Sequence, residues 1–522
     1  MESINVGIWS VVPPIIAIAL ALITKQVIFS LLLGVISGTI IYSAAAGLGV
    51  VGVFTTTIDL MIAKLSGNAS MVVFLAILGV LVALVTRAGG SRAYGEWAVR
   101  KIKTERSAGL VTALLGVLIF IDDYFNCLTV GTVMRPVTDQ HKISHEKLAY
   151  FIDATAAPIC IIAPISSWAA SVISYYPTST GITGMQAFVQ AIPMNLYAIL
   201  TILMVVILAT RKNSDYGPMA RAQARSRSSG QLDAGMVSED TVGEDNLANL
   251  KMSEKGKVFD LIVPVVFLVI FSVLAMLWYG GYWDGSGMSL FEAFGNTSAG
   301  DALALGGFGA VIVTFFLYVP RKLFSFKEYF DAIGHGIKSM VGAITILVFA
   351  WTISGVCRDL LLTGEYVAGV VNASSLPVAL IPGIMFIIAA ALSFATGTSW
   401  GTFGILIPIT IAICDIVAPY LNIIALSSVM AGSVFGDHCS PISDTTILSS
   451  TGARCNHIDH VTTQIPYALT VAAVCFVGYI IAGFVAPMGI LLSTLITVPI
   501  SIVLLVILLI VLPKIGPAKA NA

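Results

Sequence analysis

The sequence predicts an all-α polytopic membrane protein with about 11 transmembrane helices in two inverted repeats, each with a re-entrant hairpin and a broken helix. Three observations predict this class: the composition, the alternation of apolar runs with basic loops, and a motif that recurs in both halves. Of the 522 residues, 57% are hydrophobic and 11% are charged, whereas a soluble domain carries about 25% charged residues. The 20 prolines and 47 glycines are typical of broken membrane helices.

The first repeat, residues 1–210, opens with three apolar runs near 8–24, 27–47 and 70–86. Each run is close to the length that crosses a bilayer. The basic loop 87–106 follows, and its excess of Lys and Arg predicts a cytoplasmic location. Three crossings before this loop place the N-terminus outside.

Counting crossings predicts the hairpin of this repeat. Runs 148–175 and 184–210 are two crossings that return to the cytoplasm, so loop 135–147 is cytoplasmic as well. Segment 107–134 must then cross an even number of times, and about 28 residues are too few for two full spans. We expect 107–134 to form a re-entrant hairpin and 148–175 to form the broken helix.

The rest of the chain repeats this plan upside down. Residues 211–257 are polar, with a basic start, and predict a cytoplasmic linker. The second repeat, 258–487, contains a hairpin at 376–412 and a broken helix at 423–452. Residues 488–522 are expected to form a final transmembrane helix and a cytoplasmic tail.

The most informative motif is F-G-D-H-C-S-P-I-S-D-T-T at residues 435–446, within an apolar stretch. An ionised side chain at bilayer depth costs about 3 kcal/mol or more, so Asp437 and Asp444 predict a functional site. Carboxylates, hydroxyls and carbonyls freed by proline are the ligands that a small hard cation accepts. The tripeptide P-I-S recurs at 164–166 and 441–443. Its matching place in two oppositely oriented halves, more than its length, favours an inverted repeat.

Further carboxylates and neutral oxygens extend this candidate site. Asp122 and Asp123 lie near the predicted tip of the first hairpin, and Asp153 lies in the first broken helix. The alternative interpretation is that Asp122 and Asp123 cap a helix at the membrane interface, and that Asp153 is a helix-end carboxylate near the cytoplasmic surface. Neutral ligands or substrate contacts are expected from Asn126, Thr155, Ser166, Ser167, Thr396, Thr398, Ser399, Ser440, Ser443 and Thr445.

His438 is adjacent to Asp437 and is a candidate pH sensor, because a histidine titrates near neutral pH. The nearby cysteines and histidines at 439, 455, 457 and 460 do not match the spacing of a structural zinc site. We therefore expect no structural metal and no cofactor. No nucleophile-base pair stands out in the sequence that would indicate an enzyme. The net charge of −1 gives no signal for nucleic-acid binding.

Segments 121–136, 152–168 and 435–451 together resemble the NhaC family of bacterial Na⁺/H⁺ antiporters, within the wider ion-transporter superfamily. The resemblance covers nearly the whole chain except 211–257. It implies a multi-pass protein of the bacterial cytoplasmic (inner) membrane, with no prosthetic group. The family also includes exchangers of organic acids and amino-acid transporters, so the resemblance does not fix the substrate.

The leading hypothesis is export of Na⁺ in exchange for protons by alternating access, with Na⁺ and H⁺ competing for the same carboxylates. The alternative is Na⁺- or H⁺-coupled transport of a small carboxylate or an amino acid. Where Na⁺ takes part it is cargo and not a structural metal, and the expected partners are Na⁺, H⁺ and the lipid bilayer. The sequence leaves open whether Li⁺ or a small organic substrate is also carried, and whether the chain forms a homodimer.

Overall fold

A computed structural model describes residues 2–515, apart from a set of gaps. These gaps are 25, 121, 178–180, 212–213, 234–251, 286, 288–289, 291–292, 294–296, 364, 367–368, 371–376 and 442. The side chains of Thr132, Thr396 and Asp444 also lie outside the described part.

Helices account for all the regular secondary structure of the described residues. In chain order they are α1 (Val12–Thr24), α2 (Val27–Ala45), α3 (Gly49–Gly67), α4 (Ala69–Ala88), α5 (Gly90–Lys101), α6 (Glu105–Leu118), α7 (Asp123–Gln140), α8 (His145–Ala154), α9 (Ala157–Cys160), α10 (Ser167–Tyr175), α11 (Gly184–Ala191), α12 (Leu196–Thr210), α13 (Gly217–Ser229), α14 (Phe259–Tyr279), α15 (Ala299–Tyr318), α16 (Phe326–Ser339), α17 (Val341–Gly355), α18 (Ile381–Thr396), α19 (Ser399–Val417), α20 (Asn422–Cys439), α21 (Asp444–Ala453), α22 (His457–Val485) and α23 (Ile490–Ile515).

The predicted class of all-α polytopic membrane protein is confirmed. Ten helical stretches of the described chain are long and apolar enough to cross a membrane, or eleven if α11 and α12, which meet at a 44° bend, count as one span. One span escaped the sequence analysis: α3 carries Asp59 and Lys64, which break its apolar run. Helix α1, which was predicted to be a span, has only 13 residues. The long helices before the basic loop are therefore α2, α3 and α4, and their number is three, as predicted.

Helices break where the sequence predicts hairpins and broken helices. Helix α6 ends at Leu118 and α7 starts at Asp123, while α18 ends at Thr396 and α19 starts at Ser399. The second break contains Gly397, whose backbone lies in the left-handed region (φ 68°), where a residue without Cβ is least strained. The broken helices separate into α8, α9 and α10 in the first half and α20 and α21 in the second. The opposite orientation of the two repeats stays a prediction.

Glycines allow the site-bearing helices to approach closely. A Cβ on Gly436 of α20 would lie 2.3 Å from the carbonyl oxygen of Ala390 in α18. A Cβ on Gly131 of α7 would lie 2.6 Å from the backbone of Gly452 in α21. The first contact joins hairpin and broken helix within the second half, and the other joins the two halves.

The start of the polar segment 211–257 is helical. Gln223 and Ser226 of α13 both donate hydrogen bonds to the carbonyl of Lys142, at 2.9 and 2.8 Å. Arg225 of the same helix pairs with Glu146 in the first turn of α8. Helix α13 is therefore fixed against the loop that precedes the first broken helix.

Candidate functional site

Carboxylates from both halves lie together at the helix breaks. We call Asp122, Asp123 and Asp437, with their serine partners Ser167 and Ser399, the carboxylate centre. The three carboxylates are buried, with exposures of 2%, 1% and 3%. Asp123 is close enough to Asp122 and Asp437 for their charges to interact, so the centre combines α7, α10, α19 and α20.

In the second half, Asp437 in the last turn of α20 faces the first residue of α19. Its Oδ2 accepts hydrogen bonds from the backbone N of Ser399 at 3.2 Å and from Ser399 Oγ at 2.9 Å. A helix N-terminus favours a negative charge, because its first N–H groups have no intrahelical acceptor. This contact connects the tip of hairpin α18–α19 to the broken helix.

The first half makes the corresponding contact with the roles exchanged. Here the aspartate is on the hairpin and the serine begins α10, the last segment of the broken helix: Ser167 Oγ donates to Asp122 Oδ2 at 3.3 Å. The neighbouring Asp123 begins α7. Its Oδ1 makes no hydrogen bond of standard geometry with the described residues, although the indole of Trp168 lies beside the carboxylate.

An aromatic cluster adjoins the carboxylate centre. Each serine of the centre is followed by tryptophan, in Ser167-Trp168 and Ser399-Trp400. The rings of Trp168 and Trp400 are 6.2 Å apart, and Trp168 packs edge-on against Phe403 at 5.7 Å. These rings shield one side of the centre with apolar surface from both halves.

Asn126 holds the first hairpin to the first broken helix. Its Nδ2 lies 2.7 to 3.0 Å from the carbonyl oxygens of Gly116, Ile119 and Thr155. Thr155 Oγ1 donates to the carbonyl of Phe151 at 2.7 Å. In this structure Asn126 and Thr155 therefore position the backbone of the breaks.

Several predicted hydroxyl ligands bond to nearby backbone or to one another. Ser166 caps α10, accepting from the N–H of Ala169 at 3.0 Å. Thr398 caps α19, and the hydroxyls of Ser443 and Thr445 lie 3.0 Å apart. Ser440 is buried at the break after α20. The predictions for Asp444 and Thr396 concern side chains outside the described part of the structure.

A second polar cluster surrounds Asp153. We call Asp153, His438, His460 and Gln464 the histidine centre, and all except His438, at 1%, have an exposure of 0%. Asp153 Oδ2 accepts from Gln464 Nε2 at 2.7 Å and lies 3.3 Å from His460 Nε2 and 4.0 Å from His438 Nε2. The hydrogen bonds of Asp153 thus come from His460 and Gln464, whereas those of Asp122 and Asp437 come from Ser167 and Ser399.

Only part of the histidine centre is bonded within the described structure. His438 Nδ1 lies 2.7 Å from the hydroxyl of Tyr197. The described residues provide no hydrogen-bond partner for Asp153 Oδ1, His460 Nδ1 or Gln464 Oε1. Sequence reasoning missed the contacts of His460 and Gln464 with Asp153, although their spacing of four residues on one face of α22 was a usable signal.

His145 connects the two halves at the end of the molecule where the basic loops lie. Its Nδ1 donates to the carbonyl of Arg454 at 2.9 Å, and its Nε2 lies 3.1 Å from Asp139 Oδ1. Burial opposes protonation, but the hydrogen bond to Asp139, the charge of Asp139 and the Arg454 carbonyl outweigh it and raise the pKa of His145.

Comparison with known proteins places the chain among transporters. Residues 159–484 match the sequence model of the Na⁺/H⁺ antiporter family. A protein of uncharacterized function from Haemophilus influenzae is 43% identical over 490 residues, covering 92% of this chain and 91% of its own. The malate-2H⁺/Na⁺-lactate antiporter of Bacillus subtilis is 28% identical over 212 residues, covering 35% of this chain and 42% of its own.

Three further proteins are similar to this chain. The arginine/ornithine antiporter ArcD of Halobacterium salinarum is 29% identical over 180 residues, covering 32% of this chain and 34% of its own. The solved MtrF structure of Neisseria gonorrhoeae aligns with a TM-score of 0.43 at 14% identity, over 83% of this chain and 84% of its own. The YdaH transporter of Alcanivorax borkumensis aligns at 0.41, also at 14% identity, over 82% and 87%. Likeness at these TM-scores does not extend to function.

Proposed function

Because the chain belongs to the Na⁺/H⁺ antiporter family, we propose that this multi-pass membrane protein exports Na⁺ in exchange for protons by alternating access. The carboxylate centre holds either the metal ion or the proton. The observation that carries the proposal is the convergence of Asp122, Asp123 and Asp437, each at most 3% exposed, at helix breaks from both halves.

Charge neutralisation explains why the two cargoes exclude each other. Three ionised carboxylates at bilayer depth would cost on the order of 9 kcal/mol, at about 3 kcal/mol each. A bound Na⁺ or a bound proton removes part of this cost. Once one of them has compensated the negative charge, the other binds only weakly. If only the neutralised centre changes its access, exchange is obligatory.

The ligand chemistry supports a small hard cation. Carboxylate oxygens of Asp122 and Asp437 already accept serine O–H groups, and Asp123 Oδ1 has no standard hydrogen bond among the described residues. All are oxygen ligands of the kind that hard cations prefer. Asp444 is proposed as a further carrier, because its position starts α21 beside the same break.

The histidine centre is proposed to act on the proton side of the cycle. Asp153 is enclosed by two imidazoles and an amide, so a proton there is shared among nitrogen and oxygen atoms. Histidine changes charge near neutral pH. His438 and His460 would therefore relate the occupancy of Asp153 to pH.

The proposed location is the inner membrane of a bacterium, with the basic loops and the C-terminus in the cytoplasm and the N-terminus outside. This orientation rests on the excess of Lys and Arg in segments 87–106 and 135–147.

The test is Na⁺-driven pH change in proteoliposomes that contain a pH-sensitive dye. Wild-type protein should produce a dye response on Na⁺ addition, and Asp437→Asn should abolish it. The matched control is Asp331→Asn, because Asp331 lies exposed on α16, away from both centres. An unchanged response in Asp437→Asn would refute the proposed site.

A second candidate is exchange of a small carboxylate or an amino acid. The aromatic cluster of Trp168, Trp400 and Phe403 favours it, since apolar ring surfaces can enclose an organic substrate. The names of the B. subtilis and H. salinarum relatives point the same way. Counterflow of labelled malate, lactate, arginine and ornithine decides between the two candidates, because only this alternative predicts uptake.

A further inference from the structure

A third cluster of titratable side chains lies outside both centres, where three segments meet at the basic end of the molecule. Glu146 is in the first turn of α8, Asp233 follows α13, and Cys455 lies between α21 and α22. One ligand atom from each lies within 4.8 Å of the other two. The three residues are 87 or more positions apart in sequence (146 to 233 and 233 to 455), so only folding brings them together.

The second observation is an unsatisfied carboxylate oxygen on Glu146. This residue is 1% exposed, and its Oε1 accepts from Arg225 Nη2 at 2.5 Å. Its Oε2 has no hydrogen-bond partner among the described residues. A buried polar atom without a partner costs about 1–3 kcal/mol or more when charged, and a cation beside it removes that cost.

The ligand set defines the class of cation. A cysteine sulfur with two carboxylate oxygens suits Zn²⁺ or a similar thiophilic divalent ion, whereas Mg²⁺ and Ca²⁺ take oxygen ligands. Zn–S and Zn–O bonds of about 2.3 and 2.1 Å place tetrahedral ligands about 3.5 Å apart. Because the observed distances are at most 4.8 Å, the closure that a bound ion needs is at most about 1.3 Å, within side-chain motion.

We propose that Glu146, Asp233 and Cys455 bind one divalent cation of the zinc type, with water as the fourth ligand. The site differs from the expectation of no structural metal, which considered only the histidines and cysteines close to Cys455 in sequence. The cation would join the start of α8, which carries Asp153, to the start of α22, which carries His460. It would thus stabilise the two segments that meet in the histidine centre.

The experiment is calorimetric titration of ZnCl₂ into the full-length protein purified in detergent and stripped with a chelator. We expect one Zn²⁺ per chain, unaffected by excess Mg²⁺, and a rise in Tm on binding. Cys455→Ser and Asp233→Asn should each weaken binding by about tenfold or more. Cys475→Ser is the matched control, because Cys475 is buried in α22 away from the cluster.

Asp233 is only partly buried, so Asp233→Asn keeps the test valid if Cys455→Ser does not fold. Less than one Zn²⁺ per wild-type chain, or wild-type affinity in the folded variants, would overturn the proposal. Because the readout is binding, it is independent of whether the protein exchanges Na⁺ for protons.

Discussion

The carboxylate centre and the histidine centre are both buried and both contain aspartate, yet their surroundings differ. Asp122 and Asp437 accept hydrogen bonds from serine hydroxyls, and Asp437 also accepts one from the N-terminus of α19. Asp153 instead lies beside one amide and two imidazoles. Oxygen ligands suit a hard cation, whereas imidazoles suit a proton. Under the proposed function, one molecule would use the same acidic residue for two tasks by changing its neighbours.

The two halves of the carboxylate centre also differ in a regular way. The aspartate is on the hairpin in the first half and on the broken helix in the second, and a Ser-Trp pair occupies the opposite position each time. Each half therefore holds its own hairpin against its own broken helix through one serine–aspartate contact. Replacing either aspartate by a neutral residue should therefore disturb the contact in its own half and leave the contact in the other half.

The largest expected effect separates the two centres directly. Asp437→Asn should weaken Na⁺ affinity by on the order of 100-fold, the loss that about 2.7 kcal/mol of charge interaction gives. Asp153→Asn should keep the Na⁺ affinity within about threefold of wild type, because the hydrogen-bond partners of Asp153 belong to the histidine centre. Equilibrium binding of ²²Na⁺ to purified variants measures both. Equal losses in the two variants would show that the centres act as one.

The packing of the first hairpin provides the next test. A Cβ at Gly116 would lie 2.1 Å from Thr155 Oγ1, which is fixed by its bond to the Phe151 carbonyl. Gly116→Ala should therefore destabilise the protein by about 1–3 kcal/mol, seen as a lower Tm. Gly334→Ala in α16 is the control, because its Cβ meets nothing within 4 Å. A Tm for Gly116→Ala equal to that of the control would contradict the observed close approach.

The histidine centre should affect the pH profile more than the maximal rate. His460→Gln keeps a side-chain donor near Asp153 but cannot carry a charge, so we expect a shifted pH dependence of exchange with a maximal rate within about threefold of wild type. His335→Gln, on the exposed face of α16, is the control. Dye-detected exchange between about pH 6 and 9 tests this. A pH profile that matches the control would remove His460 from the proton side of the cycle.

The smallest effect concerns stability at the basic end. Burial lowers the pKa of His145, but its contact with Asp139 outweighs burial and the net pKa is raised. Protonated His145 therefore stabilises the fold fully below the pKa of the unfolded state, about 6.5, and this contribution is lost as pH rises through the pKa of the folded state. The Tm difference between wild type and His145→Gln should thus be larger at about pH 5.5 than at about pH 8.5. A difference that grows with pH would have the wrong sign.

The sequence predicted the fold class and the positions of the helix breaks, because glycine, proline and hydroxyl residues act locally. Asp437 and Asp122 were predicted as site residues because carboxylates in apolar runs are costly; both are buried in the structure, and their role stays a prediction. The sequence analysis missed α3, whose two charged residues hide its length, and it missed the contact of Asp153 with His460. That contact joins residues 307 positions apart, and no local pattern reports which distant helix packs beside Asp153.

The most direct test of the central claim is to count protons released when Na⁺ binds to the purified protein in weakly buffered detergent solution. We expect wild-type protein to release protons on Na⁺ addition, with apparent Na⁺ affinity rising as pH rises, and Asp437→Asn to release none. Na⁺ binding that is independent of pH and releases no protons would contradict competition at the carboxylate centre.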